Sequence, residues 1–505
     1  MTKSLQAICL GMLLVMAVSA PAATTTWTGT GDWFADVGNW SGGVPGPGSN
    51  VLIASGSVIL TNDTTLLDSF TMTNGNLIFS NLAAVVQATN VWITGGTVRH
   101  VTNSASATNA SGEWPIIGRV NFVCTNFFLG SGGYINVDGC GWGSMISNGY
   151  GPGAGTPFMG RFGAGYGGFG ANNSANNAGR IYGSAAAPDQ PGSGGQQTQN
   201  FATNLCHGGG AVRIASDGGM VTINGTITAC GKGAQVRGGG SGGGIWISCA
   251  TFAGTNGSIK ANGQDTGPAG GANHAGGGGR IALHYASVLQ PATVALKVSR
   301  GIAQSSSYRG DIGTIYLSDA TFLTEMLDDI EGQITGPWNS WGPTNLTVSN
   351  NWVRFIADNF RLAVTNSVII TGTNGLLELG GSSFMSNECF LTYSDTMNSS
   401  GTLFHGYFQY SASTSSLTCG GNLVLTNGGR LRIYSGPTNQ ADGCGALVSV
   451  GGDVILGVDS WVHPVSNPTN GGSALFKMQN LFIDTNAGFN ANQVGFGGGG
   501  GERGL

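Results

Sequence analysis

Short apolar runs with polar residues at alternate positions dominate the chain. Val51 to Ile59, Asn76 to Phe79, Val91 to Val98, Val364 to Thr371, Leu376 to Leu379, Leu423 to Thr426 and Leu447 to Val450 all read this way. Asn-Gly, Gly-Gly and Thr-Asn pairs separate them. A period of two between turn residues predicts half-buried β-strands, and their regular spacing predicts an all-β chain. The best helical candidate, Ala320 to Ile330, is short.

In the centre the pattern repeats. Gly208 to Ile214 (GGGAVRI) is echoed by Gly242 to Ile247 (GGGIWI) and Gly277 to Leu283 (GGGRIAL). Interleaved are Gly225 to Gly231 and Gly257 to Gly263, with an earlier relative at Gly133 to Gly139. One such strand cannot bury its inner face alone, whereas stacked equivalents can. The expected fold is therefore a right-handed parallel β-helix, a β-solenoid with Gly-rich coils. Its hand follows from the preference of parallel crossovers. Its glycines are expected at corners, where φ is positive or backbones approach closely. No helix follows these glycines and no GK[ST] occurs, which excludes a P-loop or dinucleotide site. Trp27, Trp33 and Trp40 are expected to cap the N-terminal end.

A longer likeness joins Cys124–Gly143 to Met478–Gly497 without gaps. Asn126 falls on Asn480, Phe128 on Phe482, Ile135 on Phe489 and Asn136 on Asn490. A second Gly-rich block is thus expected to begin near residue 485, as in a fragment of a longer repetitive protein.

Composition narrows the partners. The chain has 505 residues with 91 Gly, 19 Lys and Arg, and 24 Asp and Glu, a net charge of −5. That balance provides no basic footprint for nucleic acid, and the low charge with ample apolar residues argues against disorder. Lys3, an uncharged apolar run from Ala7 to Val18, and Ala20-Pro21-Ala22 form a secretory leader with cleavage after Ala22. No later stretch is long and apolar enough for a transmembrane helix. Eight cysteines follow the leader; they are even in number for disulfides, and equally suited to be buried thiols.

Gly238–Tyr285, Gly310–Leu317 and Gly451–Phe476 resemble the glycine-rich β-solenoid regions of large secreted bacterial surface proteins. Trp27–Ile53 resembles the entry segment of autotransporter-like passengers, here without the membrane barrel. The resemblance implies a surface location and does not specify an activity.

Candidate chemistry is sparse. Glu325, Asp328, Asp329 and Glu331, near Asp311 and Asp319, are the densest carboxylates. They suit a Ca²⁺ site or, less well, an acid/base pair, but a solvated acidic turn or short helix is the favoured reading. No other cofactor is expected. Asp265, His274 and Arg280 sit near Gly-rich turns, where corner roles outweigh catalysis. Trp338 and Trp341 in a Gly-Pro-rich loop could stack on sugar rings or plug the core.

The segments are then a leader (1–22), an N-terminal cap with first coils (23–125) and a Gly-rich solenoid (126–317). An acidic, Trp-bearing insertion loop (318–345), a second ladder (346–484) and the truncated Gly-rich block (485–505) follow. The function these features imply is an exported structural or adhesive protein of the cell surface or extracellular matrix. It would contact polysaccharide or the cell envelope without catalysis. The alternatives are a β-helix carbohydrate-active enzyme, a lyase before a hydrolase, or a glycan-binding module.

Overall fold

The computed structural model describes residues 24–492 apart from 146–147, 155–161, 172–178, 197–205, 234–237, 267–273, 304–308, 381–413, 439–442 and 468–471. The leader, Cys389 and most of the terminal Gly-rich block lie outside the described residues. Among the described residues the strands form sheets of 22, six, five and two members. Alternation decides which side chains enter the core: Arg361–Val364 runs exposed, buried, exposed, buried. Burying an Ile or Leu in this way stabilises by about 1.5–3 kcal/mol.

The echoing motifs are register partners in parallel ladders. Val212 pairs with Ile245, Ile245 with Ile281 and Ile281 with Ile315. Ile135 pairs with Ile227 and Ile227 with Ile259. All seven are fully buried.

The expected β-helix is corrected in three respects. First, the main sheet closes on itself in its pairing. Val120–Asn136, Thr226–Thr228, Thr255–Lys260, Thr293–Lys297, Ile330–Thr335, Thr314–Leu317, Arg280–His284, Gly244–Ala253 and Ala211–Ile223 form an all-parallel circuit of nine strands that returns to Val120–Asn136. Closure occurs because Val120–Asn136 and Ile330–Thr335 each carry two ladders. Second, no fixed repeat runs along the chain. Bonded neighbours on stacked strands are 19 residues apart at Asn50/Ser69, 36 at Asn90/Asn126, 92 at Asn121/Arg213 and 54 at Glu378/Arg432. Strands are also longer than expected, reaching 15 residues in Val86–His100 and 17 in Val120–Asn136.

Third, the central glycines are not coil corners. Segments around Gly141, Gly192, Gly208–Gly210, Gly238–Gly243 and Gly276–Gly279 are buried outside any strand and bond to one another through the backbone. Gly141 N–H donates to Gly208 O at 2.8 Å, Gly192 N–H to Gly209 O at 2.7 Å and Gly242 N–H to Gly277 O at 3.0 Å. The glycine before each strand repeats one contact. Gly210, Gly243, Gly279 and Gly313 donate to Val137, Ala229, Ala261 and Val298, each at 2.7 Å. A Cβ at Gly243 would lie 1.9 Å from Gly210 O, and one at Gly313 2.0 Å from Gly279 O. What demands glycine here is space between backbones rather than positive φ. Left-handed glycines serve elsewhere, as at Gly75 in a bend and at Gly96 within Val86–His100, where a Cβ on Gly96 would lie 2.6 Å from Gly75 O.

The two ends differ. Near residue 24, Trp27, Trp33 and Trp40 are buried, with edge-on ring contacts of 4.7 and 4.9 Å, and Trp40 Nε1 donates to Trp33 O at 2.9 Å. At the other end Leu481–Ile483 is, among the described residues, the last strand of its sheet, and its three side chains are exposed.

The stretch expected as an insertion loop at 318–345 instead carries strands Met326–Leu327, Ile330–Thr335 and Ser340–Trp341 that belong to the ladders. The expected short helix reduces to one 3-10 turn, Ala320–Phe322. The seven described cysteines are free thiols, and burial pushes Cys124 up to about 12.

Candidate functional site

Successive strands of the main sheet read Trp352-Val-Arg-Phe355, Leu376-Leu-Glu-Leu379 and Arg430-Leu-Arg-Ile-Tyr434. Phe355, Leu379 and Ile433 are register partners in the core. The residue before each must face the other way, so Arg354, Glu378 and Arg432 form a second row in which charge alternates. Gln333 extends this row on one side and His463 on the other.

All three charged side chains are buried. Glu378 Oε2 accepts from Arg354 Nε and Trp352 Nε1, each at 2.5 Å. Its Oε1 accepts from Arg432 Nη1 and, at 3.4 Å, from the Tyr434 hydroxyl. Arg354 also reaches Asp311 through Nη1 at 3.2 Å and Nη2 at 3.4 Å. The Arg300 guanidinium lies 4.6 Å from the Trp352 ring centre.

Burial works against the charge on Glu378, but the Arg354 and Arg432 guanidiniums and the bonds from Trp352 and Arg354 outweigh it. They hold its carboxyl below the usual carboxylate range. For Arg354, burial is likewise overcome by Asp311 and Glu378, which raise its affinity for the proton. Burial and the neighbouring Glu378 charge push the Tyr434 hydroxyl up. Both carboxylate oxygens of Glu378 are occupied by internal donors, so the arrangement can lock three strands and the Asp311 segment together. Such a lock perturbs titration without offering a proton to a substrate.

A second buried cation stands further along the same face. Arg280 donates to Tyr182 O from Nε at 3.0 Å and Nη2 at 2.8 Å, and to Thr314 Oγ1 from Nη1 at 2.8 Å. Burial lowers its pKa, against the influence of Tyr166 and Tyr182.

The acidic residues expected to bind Ca²⁺ are dispersed. Exposed Glu325 accepts from Thr344 N–H at 3.0 Å and Asn345 Nδ2 at 3.4 Å. Glu331 accepts from Ser299 Oγ at 2.8 Å, and burial raises its pKa. Asp328 and Asp329 fall between the strands that end at Leu327 and begin at Ile330. Among the described residues no three His, Cys, Asp or Glu side chains come together as a metal-holding group. Asp265 accepts from Ile302 N–H at 2.7 Å, and His274 is buried beside Phe162.

Trp338 and Trp341 are half-buried against the core. Trp338 Nε1 donates to Leu317 O at 3.0 Å, and its ring meets Phe360 edge-on at 5.9 Å. Trp341 lies 5.9 Å from Phe355. Both rings use their faces or edges internally.

Arg354, Glu378 and Arg432 were not singled out from the sequence. The available signal was a charge set between apolar neighbours in consecutive strand candidates, which becomes readable only when the strands are aligned in register.

Residues 39–111 match the G8 domain family, and the match covers that part of the chain alone. Comparisons with curated proteins and with solved structures give no match. The resemblance to glycine-rich solenoid regions is thereby corrected. The family match lies outside Gly238–Tyr285, Gly310–Leu317 and Gly451–Phe476, and the central strands close into the nine-strand circuit. The adhesive, polysaccharide-contacting rod and the lyase or glycan-module alternatives were placed on a solenoid, and no solenoid-based carbohydrate-binding or lyase architecture is present among the described residues. No helix among the described residues is long and apolar enough to cross a membrane.

Proposed function

We propose that this chain is a non-catalytic, exported assembly module: a β body whose apolar edge strand Leu481–Ile483 pairs with a further β-strand. One observation carries the reading. Leu481 and Ile483 are register partners of Val454 and Leu456. Val454 and Leu456 are each 1% exposed, whereas Leu481 is 43%, Phe482 54% and Ile483 51% exposed. Core-facing positions are thus open one strand further along, and contiguous exposed apolar surface of this kind marks an interaction site. A terminal strand also presents unpaired N–H and C=O groups ready to accept another strand.

Two further observations support the reading. The buried charges around Glu378 are engaged internally. The leader pattern at Lys3 to Ala22 favours export, with a mature N-terminus at Ala23.

The test places a photo-activated cross-linker at position 482 or, as a control near the closed end, at Phe34. Discrete polypeptide adducts from 482 and none from Phe34, in cells exporting the chain, are expected. Equal absence of adducts at both positions would overturn the reading. Secreted material starting at Ala23 is the expected companion result.

A further inference from the structure

Two arginines on the central strands stand apart from the Glu378 lock. Val120 and Phe122 pair with Val212 and Ile214, which pair in turn with Ile245 and Ile247, and all six are fully buried. Asn121, Arg213 and Trp246, the register partners between them, therefore form a row on the other face. Arg213 Nη1 donates to Asn121 Oδ1 at 3.4 Å, and its guanidinium lies 5.3 Å from the Trp246 ring centre. Arg119, immediately before Val120, joins the same neighbourhood. Burial and the charge of Arg213 lower its proton affinity, against the influence of Asp189. Gly244 admits the segment that carries Asp189: a Cβ there would lie 2.4 Å from Pro188 O and 2.6 Å from Gln190 O.

Among the described residues neither Arg119 nor Arg213 forms an ion pair; those found join Arg354, Asp311, Glu378 and Arg432. Arg119 Nε and Trp246 Nε1 are shielded from solvent and have no acceptor among the described residues. Shielded donors without acceptors and like charges held together both cost stability. A doubly charged, acceptor-rich group relieves both costs. Planar guanidinium forks match phosphate oxygens two at a time, whereas a single carboxylate occupies one fork and leaves the second charge in place. Arg119, Arg213 and Trp246 are each half-buried, so a ligand reaches them from solvent.

We propose that Arg119 and Arg213, with Trp246 beside them, hold a phosphate group, either free or carried by a small monoester. Exposed Asp189 competes for Arg119 and so limits the affinity. This site goes beyond the assembly reading and does not depend on the edge strand.

Inorganic phosphate and phenyl phosphate are the probes, titrated separately into the mature chain at low ionic strength and followed by calorimetry. Saturable one-to-one binding is expected, and binding of the ester alone would assign the group to a monoester. Arg119→Gln and Arg213→Gln should each weaken binding about tenfold, Arg119→Lys less, and Asp189→Asn should strengthen it. Arg361→Gln, at an exposed arginine on another strand, should leave it unchanged. Asp189→Asn, also at an exposed position, keeps the test available if an arginine change perturbs folding. Absence of saturable binding to the folded chain, equal weakening by Arg361→Gln, or displacement of phosphate by an equal concentration of chloride would overturn the proposal.

Discussion

Replacing Glu378 with Leu removes the carboxylate on which two buried guanidiniums and an indole N–H converge. Arg354 and Trp352 each lose a 2.5 Å contact, and Arg432 loses its bond to Oε1. Arg354 keeps Asp311, at the longer distance of 3.2 Å. Removing one partner of a buried pair costs about 3–5 kcal/mol, because the remaining charge stays desolvated. A single charge-assisted hydrogen bond contributes about 1.5–3 kcal/mol, so the convergence here places Glu378→Leu in the upper range. Glu378→Gln retains shape and one acceptor oxygen, and should lose roughly half as much. Urea unfolding gives the total, and hydrogen exchange of Trp352–Phe355, Leu376–Leu379 and Arg430–Tyr434 localises it. Adding Arg354→Met to Glu378→Leu should recover part of the loss, since well-packed apolar replacements of buried ion pairs are often neutral. The acid limb adds a second reading. A carboxyl held below its ordinary value stabilises the fold above about pH 4.5, and that contribution disappears as pH falls through the lower folded value. A loss below about 1 kcal/mol for Glu378→Leu would show that the lock is not what joins these strands.

Other perturbations separate the remaining parts of the account. Gly243→Ala forces a Cβ to within 1.9 Å of Gly210 O, whereas at Gly38 nothing lies within 4 Å. The first should cost about 1–3 kcal/mol or more in thermal unfolding, and Gly38→Ala close to nothing. His100 is buried, and burial pushes its pKa down to about 4; its Nε2 accepts from Ala211 N–H at 3.0 Å. Because the unfolded chain takes up this proton first, stability should fall as pH drops below 6.5, by about 3 kcal/mol in total, and level off below pH 4. That segment of the pH profile should vanish in His100→Asn. Trp338→Ala, at a half-buried ring, should lower stability by about 1.5–3 kcal/mol, less than truncating a fully buried aromatic; unchanged unfolding would contradict its packing role.

Strand positions were largely legible from the sequence, because a period of two survives wherever one face is buried. Leu376–Leu379 and Leu423–Thr426 appear where the alternation placed them. The partners of the central strands were legible too, because Val212, Ile245 and Ile281 each follow a glycine run. Closure of the circuit was not. It depends on Val120–Asn136 serving two ladders, and nothing local in that segment distinguishes one long strand from two short ones. The glycines misled for a related reason. A glycine required for backbone clearance, such as Gly243, looks in sequence like one required for positive φ, such as Gly96. The charge lock stayed hidden because Arg354 and Arg432 are separated along the chain, and only register brings them to the same carboxylate.

Hydroxyl-radical footprinting of the dilute mature chain compares its two ends directly. Trp is intrinsically among the most reactive side chains, yet Trp27 and Trp33 are buried at the closed end while Phe482 is exposed at the other. The account expects Phe482 to be modified at close to its unfolded rate while Trp27 and Trp33 remain silent until the chain unfolds. Phe482 as silent as Trp33 in the monomer would contradict an exposed edge, and with it the proposal that this protein works by pairing a further strand there.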